Sequence, residues 1–120
     1  MEREEVARWL DAYVAAWKSY DPAAIGALFS EDCVYRYRPN GEEVRGREAI
    51  VRSWLEDDPD EPGTYDAEYE PWAIDGDRAV AVGTSTYTSP RRVFDNCFLL
   101  RFDEEGRCAE FTELFMERSG

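Results

Sequence analysis

Apolar side chains recur at helical spacing through the first half of the chain. From Glu2 to Tyr20 they fall three and four residues apart, and this set consists of Val6, Trp9, Leu10, Tyr13, Val14 and Trp17. Asp21 and Pro22 then supply a helix cap and a first-turn proline. They predict a second, short helix that ends near Phe29.

One strand and a third helix complete this half. The segment from Cys33 to Tyr37 is rich in β-branched and aromatic residues, which favour strands. Pro39-Asn40-Gly41 indicates a loop. Apolar residues return to helical spacing after Gly46 and predict a helix from about Arg47 to Glu56.

The period of the pattern changes to two in the second half. The second half begins with residues 56–63, an acidic segment that contains two prolines. We expect this segment to form a solvated loop. Alternation then predicts four long strands, and turn residues separate them. The predicted strands are Thr64 to Ile74, Arg78 to Thr88, Val93 to Phe102 and Arg107 to Glu117. Helices followed by an antiparallel meander predict one α+β domain over residues 1–120.

The charge balance excludes several classes of function. The 120 residues include 14 Lys and Arg against 27 Asp and Glu, which gives a formal net charge of −13. Such a surface repels phosphate backbones and anionic lipids, so we expect neither a nucleic-acid partner nor a membrane partner. The chain has no histidine, which excludes histidine bases, histidine metal ligands and Ser-His or Cys-His pairs.

The cysteines indicate a reducing compartment. Cys33, Cys97 and Cys108 are an odd number without a C-x-x-C spacing, so we expect reduced, packed thiols. The charged start of the chain differs from a signal peptide, and no apolar run reaches the roughly 20 residues of a membrane span. The expected location is the cytoplasm. No motif for a metal or another cofactor is present.

Five segments, taken in order, resemble the nuclear-transport-factor-2-like (NTF2-like) superfamily, and in particular its SnoaL-like, polyketide-cyclase-like branch. They are Trp17 with Tyr20-Asp21-Pro22-Ala23-Ala24-Ile25; Ala27-Leu28-Phe29-Ser30-Glu31-Asp32; Gly46-Arg47-Glu48-Ala49-Ile50; Asp75-Gly76-Asp77; and Phe102-Asp103-Glu104-Glu105-Gly106-Arg107. The resemblance implies a cone, in which three N-terminal helices pack on a strongly curved, mostly antiparallel sheet around one deep, mostly apolar pocket. It also implies a homodimer, formed in many members through the outer face of the sheet.

The same superfamily contains steroid isomerases, whose catalytic groups are only partly present. Tyr13 matches their oxyanion-hole tyrosine, whereas Tyr37 and Phe98 occupy the places of the base and of the second acid. The histidines used by dehydratases of this fold are absent, and no Asp-Arg-Asp set of the epoxide-hydrolase kind is matched. We therefore expect no known mechanism of the fold to operate unchanged.

Glu113 is the main candidate for chemistry. The resemblance places it inward on the last strand, and the flanking inward residues are then Phe111 and Phe115. Loss of hydration there raises the pKa of a carboxyl toward neutrality, as a general acid or base requires. The alternatives are a one-residue error in register, or an ion pair with Arg36 or Arg101. Tyr13 also allows two interpretations. Its hydroxyl donates a hydrogen bond to a ligand oxygen, or the residue is simply one more buried aromatic on the helix.

The remaining pocket assignments follow from the resemblance and the alternation. Of Tyr35 and Tyr37 we expect only Tyr37 to enter the pocket. The expected lining consists of Trp17, Phe29, Tyr37, Trp54, Asn96, Phe98, Leu100, Phe111 and Phe115. Two functions remain open. One is a cofactor-free isomerase, cyclase, lyase or hydrolase acting on an apolar small molecule, and the other is a non-catalytic ligand-binding, dimerisation or protein-interaction module.

Overall fold

The computed structural model describes residues 1–37, 41–57 and 59–119. Three helices precede most of the sheet, which confirms the predicted α+β class. Pro39 and Asn40 of the predicted loop, and Asp58 of the acidic segment, lie outside the described residues. The helices are α1 (Arg3–Ser19), α2 (Pro22–Ala27) and α3 (Arg47–Glu56). The strands are β1 (Phe29–Arg36), β2 (Glu43–Arg45), β3 (Tyr65–Asp75), β4 (Arg78–Thr88), β5 (Arg91–Phe102) and β6 (Cys108–Glu117).

Local capping explains where the first two helices begin and end. Glu2 and Glu5 form a reciprocal capping box at the start of α1, and Tyr20 ends this helix in the left-handed conformation with φ of 50°. The side chain of Asp21 then accepts a hydrogen bond from the Ala23 amide at 3.2 Å. Pro22 occupies the first turn of α2, where its missing N–H is not needed. None of the described helices has the length and apolar character required to cross a bilayer.

The six strands form one curved, mixed sheet in the order β2-β1-β6-β5-β4-β3. Only β1 and β6 pair in parallel, and the other neighbours are antiparallel, as expected for a mostly antiparallel sheet. The pairing register shifts within β3, between Pro71 and Ala73, and within β5, between Arg101 and Phe102. Such irregularities bend a strand and help a sheet to wrap around its helices.

Two features of the first half differ from the sequence-based prediction. The first strand begins at Phe29 rather than Cys33, and its register with β6 shifts between Phe29 and Val34. The short strand β2 was not predicted at all, because three residues with two charges carry no readable alternation. β2 pairs with β1 and leads to Gly46, whose φ of 92° turns the chain into α3.

An aromatic core joins α1 to the inner face of the sheet. Phe29, Phe98, Phe102 and Phe111 are completely or almost completely buried. Trp9 lies edge-on to both Phe29 and Phe102, and its indole N–H donates to the Leu28 carbonyl at 3.0 Å. This packing closes one end of the cone and forms the floor on which the pocket lies.

Candidate functional site

A pocket of about 280 Å³ opens between α1, α3 and the inner face of the sheet. Ten of the sixteen described lining residues are aromatic, and three others are carboxylic acids. The aromatic residues are Tyr13, Trp17, Tyr20, Tyr35, Tyr37, Trp54, Tyr69, Tyr87, Phe94 and Phe115. The acids are Asp57, Asp60 and Glu113, and the other three residues are Ser53, Ser85 and Asn96. The lining is therefore more polar than the mostly apolar cavity that we expected.

The structure brings together both predicted catalytic residues and five of the predicted lining residues. Glu113 lies on β6 and Tyr13 on α1, and both line the pocket. The five lining residues are Trp17, Tyr37, Trp54, Asn96 and Phe115. They come from two helices, two strands and the position that follows β1, so the site exists only in the assembled fold.

The other four predicted lining residues lie in the core beneath the pocket. Phe98 and Phe111 each place their ring centre 5.5 Å from that of Tyr13. The Tyr13 ring thus packs on both phenylalanines, while Tyr13 itself lines the pocket. Phe29 and Leu100 are likewise buried in the core cluster and do not line the pocket.

The exclusion of Tyr35 from the pocket was wrong. Tyr35 and Tyr37 both line it, and their ring centres are 5.3 Å apart. Side chains two residues apart share one face of a strand, so the alternation places both tyrosines inward. Tyr35 is buried and stacks on Phe111 at 4.5 Å, whereas Tyr37 is half exposed at the mouth.

Glu113 is largely buried at the pocket wall and lacks a compensating partner among the described residues. No described side chain or amide donates a hydrogen bond to its carboxylate. Arg36 pairs instead with Glu43 at 2.7 Å, and Arg101 with Glu110 at 2.6 Å. Burial therefore acts unopposed and raises the pKa of Glu113 to about 7. The ion-pair alternative raised from the sequence is not found.

Tyrosine hydroxyls surround this carboxyl. Burial and then the charge of Glu113 raise the pKa values of Tyr13, Tyr37 and Tyr69. Burial also raises the pKa of Tyr35 strongly, and the charge of Glu113 adds a smaller effect. These phenols remain protonated at neutral pH and can donate hydrogen bonds to an oxygen in the pocket.

A hydrogen-bonded group holds the acidic loop against α1 at the far side of the pocket. The indole N–H of Trp17 donates to Asp60 Oδ2 at 3.1 Å and to the Tyr20 hydroxyl at 3.2 Å. The amide of Asp60 donates to the same hydroxyl at 2.9 Å, and the Tyr65 hydroxyl donates to the Trp17 carbonyl at 2.6 Å. Sequence reasoning treated this loop as solvated, because its acidic composition carries no sign of the contact with Trp17.

Asn96 lies between the pocket and a neighbouring strand. It lines the pocket, and its Oδ1 accepts a hydrogen bond of 2.9 Å from Ser85 on the neighbouring strand. Both residues are buried, so this bond fixes the amide plane. Elsewhere in the described ranges, no three Cys, Asp or Glu side chains converge as they would around a metal ion.

Comparison with known proteins agrees with this architecture. The chain superposes with a TM-score of 0.74 on a candidate ketosteroid isomerase from Kribbella flavida, with 19% identity over 98% of this chain and 82% of that one. It superposes with a TM-score of 0.70 on an LEH-like epoxide hydrolase from M. tuberculosis, with 20% identity over 97% and 86% of the two chains. A protein of unknown function from Burkholderia xenovorans, described as NTF-2 like, gives a TM-score of 0.73 at 18% identity, over 98% and 87%.

These identities are low, so the superpositions establish the fold alone. A comparison with curated proteins finds no match. The profile of the SnoaL-like domain, in contrast, matches residues 10–111, which include Tyr13, the whole of α3 and the start of β6. The chain therefore belongs to the SnoaL-like family of the NTF2-like superfamily.

Proposed function

We propose that this protein is a cofactor-free enzyme that moves a proton on a small organic molecule, with Glu113 as the general acid and base. The observation that carries the proposal is a carboxyl on the wall of a pocket that no described residue pairs with or donates a hydrogen bond to, and burial raises its pKa to about 7. Near neutral pH such a group is populated in both protonation states. It can therefore take a proton from one atom of a substrate and return it to another.

The surrounding hydroxyls supply the complementary part of the chemistry. When the Glu113 carboxylate removes a proton from a carbon next to a carbonyl group, the electron pair moves to the carbonyl oxygen. A hydrogen bond from Tyr13 or Tyr35 then stabilises the negative charge on that oxygen. Return of the proton to a second atom completes an isomerisation, and loss of a leaving group gives a lyase reaction. Other members of this fold are described as an isomerase and a hydrolase, which supports this use of the pocket.

The test compares the wild type with Glu113→Gln in D2O. Candidate ketones, enones and epoxides are screened by NMR for deuterium exchange and product formation. We expect the variant to lose at least a hundredfold in turnover while it keeps its affinity for any substrate found. Glu117→Gln, on the same strand but outside the pocket lining, is the matched control and keeps its activity. Ligands that bind the wild type but are never converted favour the alternative, a non-catalytic binding module.

We also propose a homodimer formed through the outer face of the sheet. Leu99 and Met116 point away from the helices and are exposed, Met116 to 72%, and Leu114 lies beside them. An apolar face of this kind is unfavourable in water and suits burial against a second copy. The proposed dimer leaves the pocket accessible, because the pocket opens on the opposite, inner face.

For the compartment, we propose the cytoplasm. Cys33 and Cys108 are fully buried, and burial raises the pKa of the Cys108 thiol. Thiols in this state are unreactive and suit a reducing environment.

A further inference from the structure

We propose that the molecule bound in this pocket carries a positively charged amine, either protonated or quaternary, held at the side of the pocket where Asp57 and Asp60 lie. The proposal rests on the proposed function in one respect, since it assigns the substrate class of that same pocket. It adds what the acid–base role of Glu113 leaves open, namely which chemical group distinguishes a substrate from other small molecules of the same size.

The pocket walls have the composition of a site for an organic cation. The described lining contains ten aromatic residues, and none of its residues is a lysine or an arginine. The face of an aromatic ring carries partial negative charge and attracts ammonium groups, most strongly where water is excluded. Within the described lining, an anionic ligand would meet three carboxyl groups and no lysine or arginine, and a purely apolar ligand would leave those carboxyl groups without a partner.

Asp60 and Glu113 have largely different tyrosine neighbours, and Tyr87 lies between them, close enough to respond to both charges. The hydroxyls of Tyr20 and Tyr65 lie close enough to Asp60 to respond to its charge, whereas those of Tyr13 and Tyr69 respond to Glu113. Asp60 is held at the mouth by Trp17, and Glu113 projects from β6. A substrate can thus place its ammonium group near Asp60 while its reacting carbon lies beside Glu113.

Two described cations near this side of the pocket are already paired with other carboxylates, and one of them, Arg92, lines an adjoining cleft together with Asp60. Arg92 makes two hydrogen bonds to Glu117, at 2.7 and 3.0 Å, and lies over the Phe94 ring. Lys18 pairs with Asp66 at 2.7 Å. A cationic ligand would supply positive charge that the described lining lacks, and a net charge of −13 attracts cations to the molecule from a distance.

The first test uses two probes that differ in charge but not in shape. Choline and 3,3-dimethylbutan-1-ol are titrated separately into the wild type, and both affinities are measured by calorimetry or by NMR. We expect choline to bind at least tenfold more tightly, because only choline gains from the ring faces and the carboxylates. Equal affinities, tighter binding of the alcohol, or no choline binding at millimolar concentrations would overturn the proposal.

The second test determines which carboxylate of the pocket binds the positive charge of choline. Asp60→Asn retains an oxygen that accepts the Trp17 N–H but removes the negative charge, and we expect choline affinity to fall by about threefold to tenfold. Affinity for the neutral alcohol should not change, which also reports that the pocket is intact. Glu61→Gln is the matched control, since Glu61 is an adjacent exposed acid outside the described lining. An unchanged choline affinity in both Asp60→Asn and Asp57→Asn contradicts the proposed position of the amine.

The experiments distinguish a failure of the amine proposal from a failure of the acid–base role of Glu113. Probe binding requires no turnover, so a missing preference for choline refutes the amine and leaves the role of Glu113 untouched. A strong preference for choline together with full turnover in Glu113→Gln refutes the acid–base role and leaves the amine.

Discussion

Phe98 lies directly opposite Glu113 in the antiparallel pairing of β5 and β6. Paired side chains on one face of a sheet are close neighbours, so a phenyl ring covers the side of the carboxyl that faces β5. A phenyl ring donates no hydrogen bond and excludes water. The pair therefore explains why burial alone determines the pKa of Glu113 and raises it to about 7.

Glu113 should make the stability of the protein depend on pH. Because its pKa is raised in the folded state, its favourable contribution is complete below the unfolded value of about 4.3 and is lost as pH rises through about 7. Glu113→Gln does not carry this penalty. Relative to the wild type, the free energy of unfolding of the variant should increase between pH 4 and pH 8, by up to about 3 kcal/mol. Urea unfolding at both pH values measures the change.

Glu117 on the same strand gives a control of opposite sign. Its hydrogen bonds to Arg92 lower its pKa, so its contribution to stability is present above the unfolded pKa and is lost as pH falls through the folded one. Glu117→Gln should therefore lose stability relative to the wild type at pH 8 but not at low pH. If Glu113→Gln behaves in this way instead, Glu113 is a compensated structural carboxylate.

The division between core and pocket can be measured with two phenylalanines. Phe98 is completely buried and packs on Tyr69 with ring centres 4.6 Å apart, whereas Phe115 is 55% exposed at the mouth. Phe98→Ala should cost about 3–5 kcal/mol of folding free energy, and Phe115→Ala less than about 1 kcal/mol. Chemical denaturation of both variants gives the values. Similar losses would show that Phe115 belongs to the core.

Two glycines should respond in opposite directions to alanine. A Cβ atom at Gly83 would lie 1.9 Å from the Glu68 carbonyl oxygen, so β3 and β4 would have to separate. A Cβ at Gly26 in α2 meets only side chains of Arg47 and Val51 at ordinary distances of 3.6 Å and more. Gly83→Ala should lower the melting temperature, and Gly26→Ala should add about 0.5–1 kcal/mol of stability. A tolerated alanine at position 83 would contradict the close approach of the two strands.

The proposed dimer can be tested by sedimentation and by labelling. We expect a species of twice 13.9 kDa at micromolar concentration, and Leu99→Asp should convert it to monomer. Cys97 pairs in register with Leu114 on the same outer region and should be alkylated faster in the monomeric variant than in the wild type. Ser89→Asp, in the exposed turn between β4 and β5, is the control that should leave the dimer intact. A wild-type monomer near 14 kDa would refute this assembly.

The other two cysteines should be protected in every state of assembly. Cys33 and Cys108 have no exposed surface, and the Cys108 thiol lies 3.0 Å from the Glu110 carbonyl oxygen. Native alkylation should leave both unmodified until the fold opens. Mass spectrometry under non-reducing conditions should find the mass of the chain without an internal disulfide, and a bridged species would also contradict the proposed compartment.

Periodicity predicted the fold well because long elements contain many repeats of their pattern. The three helices and the last four strands were found with boundaries shifted by only one or two residues at most ends. β2 was missed because three residues are too few to show alternation. Alternation predicted only that Glu113 shares one face of the strand with Phe111 and Phe115, and the resemblance to the family identified that face as the inner one.

The depth at which a side chain is buried, and the contacts of the acidic loop, could not be predicted from the sequence. Alternation states which face of a strand a side chain occupies, but Phe98 and Asn96 share one face while only Asn96 reaches the pocket. Whether a residue lines a cavity depends on what covers it, and Tyr13 covers Phe98 from another element. Asp60 reaches Trp17 across 43 positions of sequence, and no local pattern encodes that contact.

Glu113 and the two aspartates of the pocket lie on elements that differ in how well they tolerate substitution. β6 is hydrogen-bonded on both sides, to β1 and to β5, whereas Asp57 and Asp60 belong to the segment between α3 and β3. Substitutions in a surface connection leave the sheet intact, while substitutions along an inner strand disturb two neighbours at once. The fold should therefore tolerate substitutions at the entrance, which alter the proposed selectivity, more readily than substitutions around Glu113, the proposed proton-carrying group.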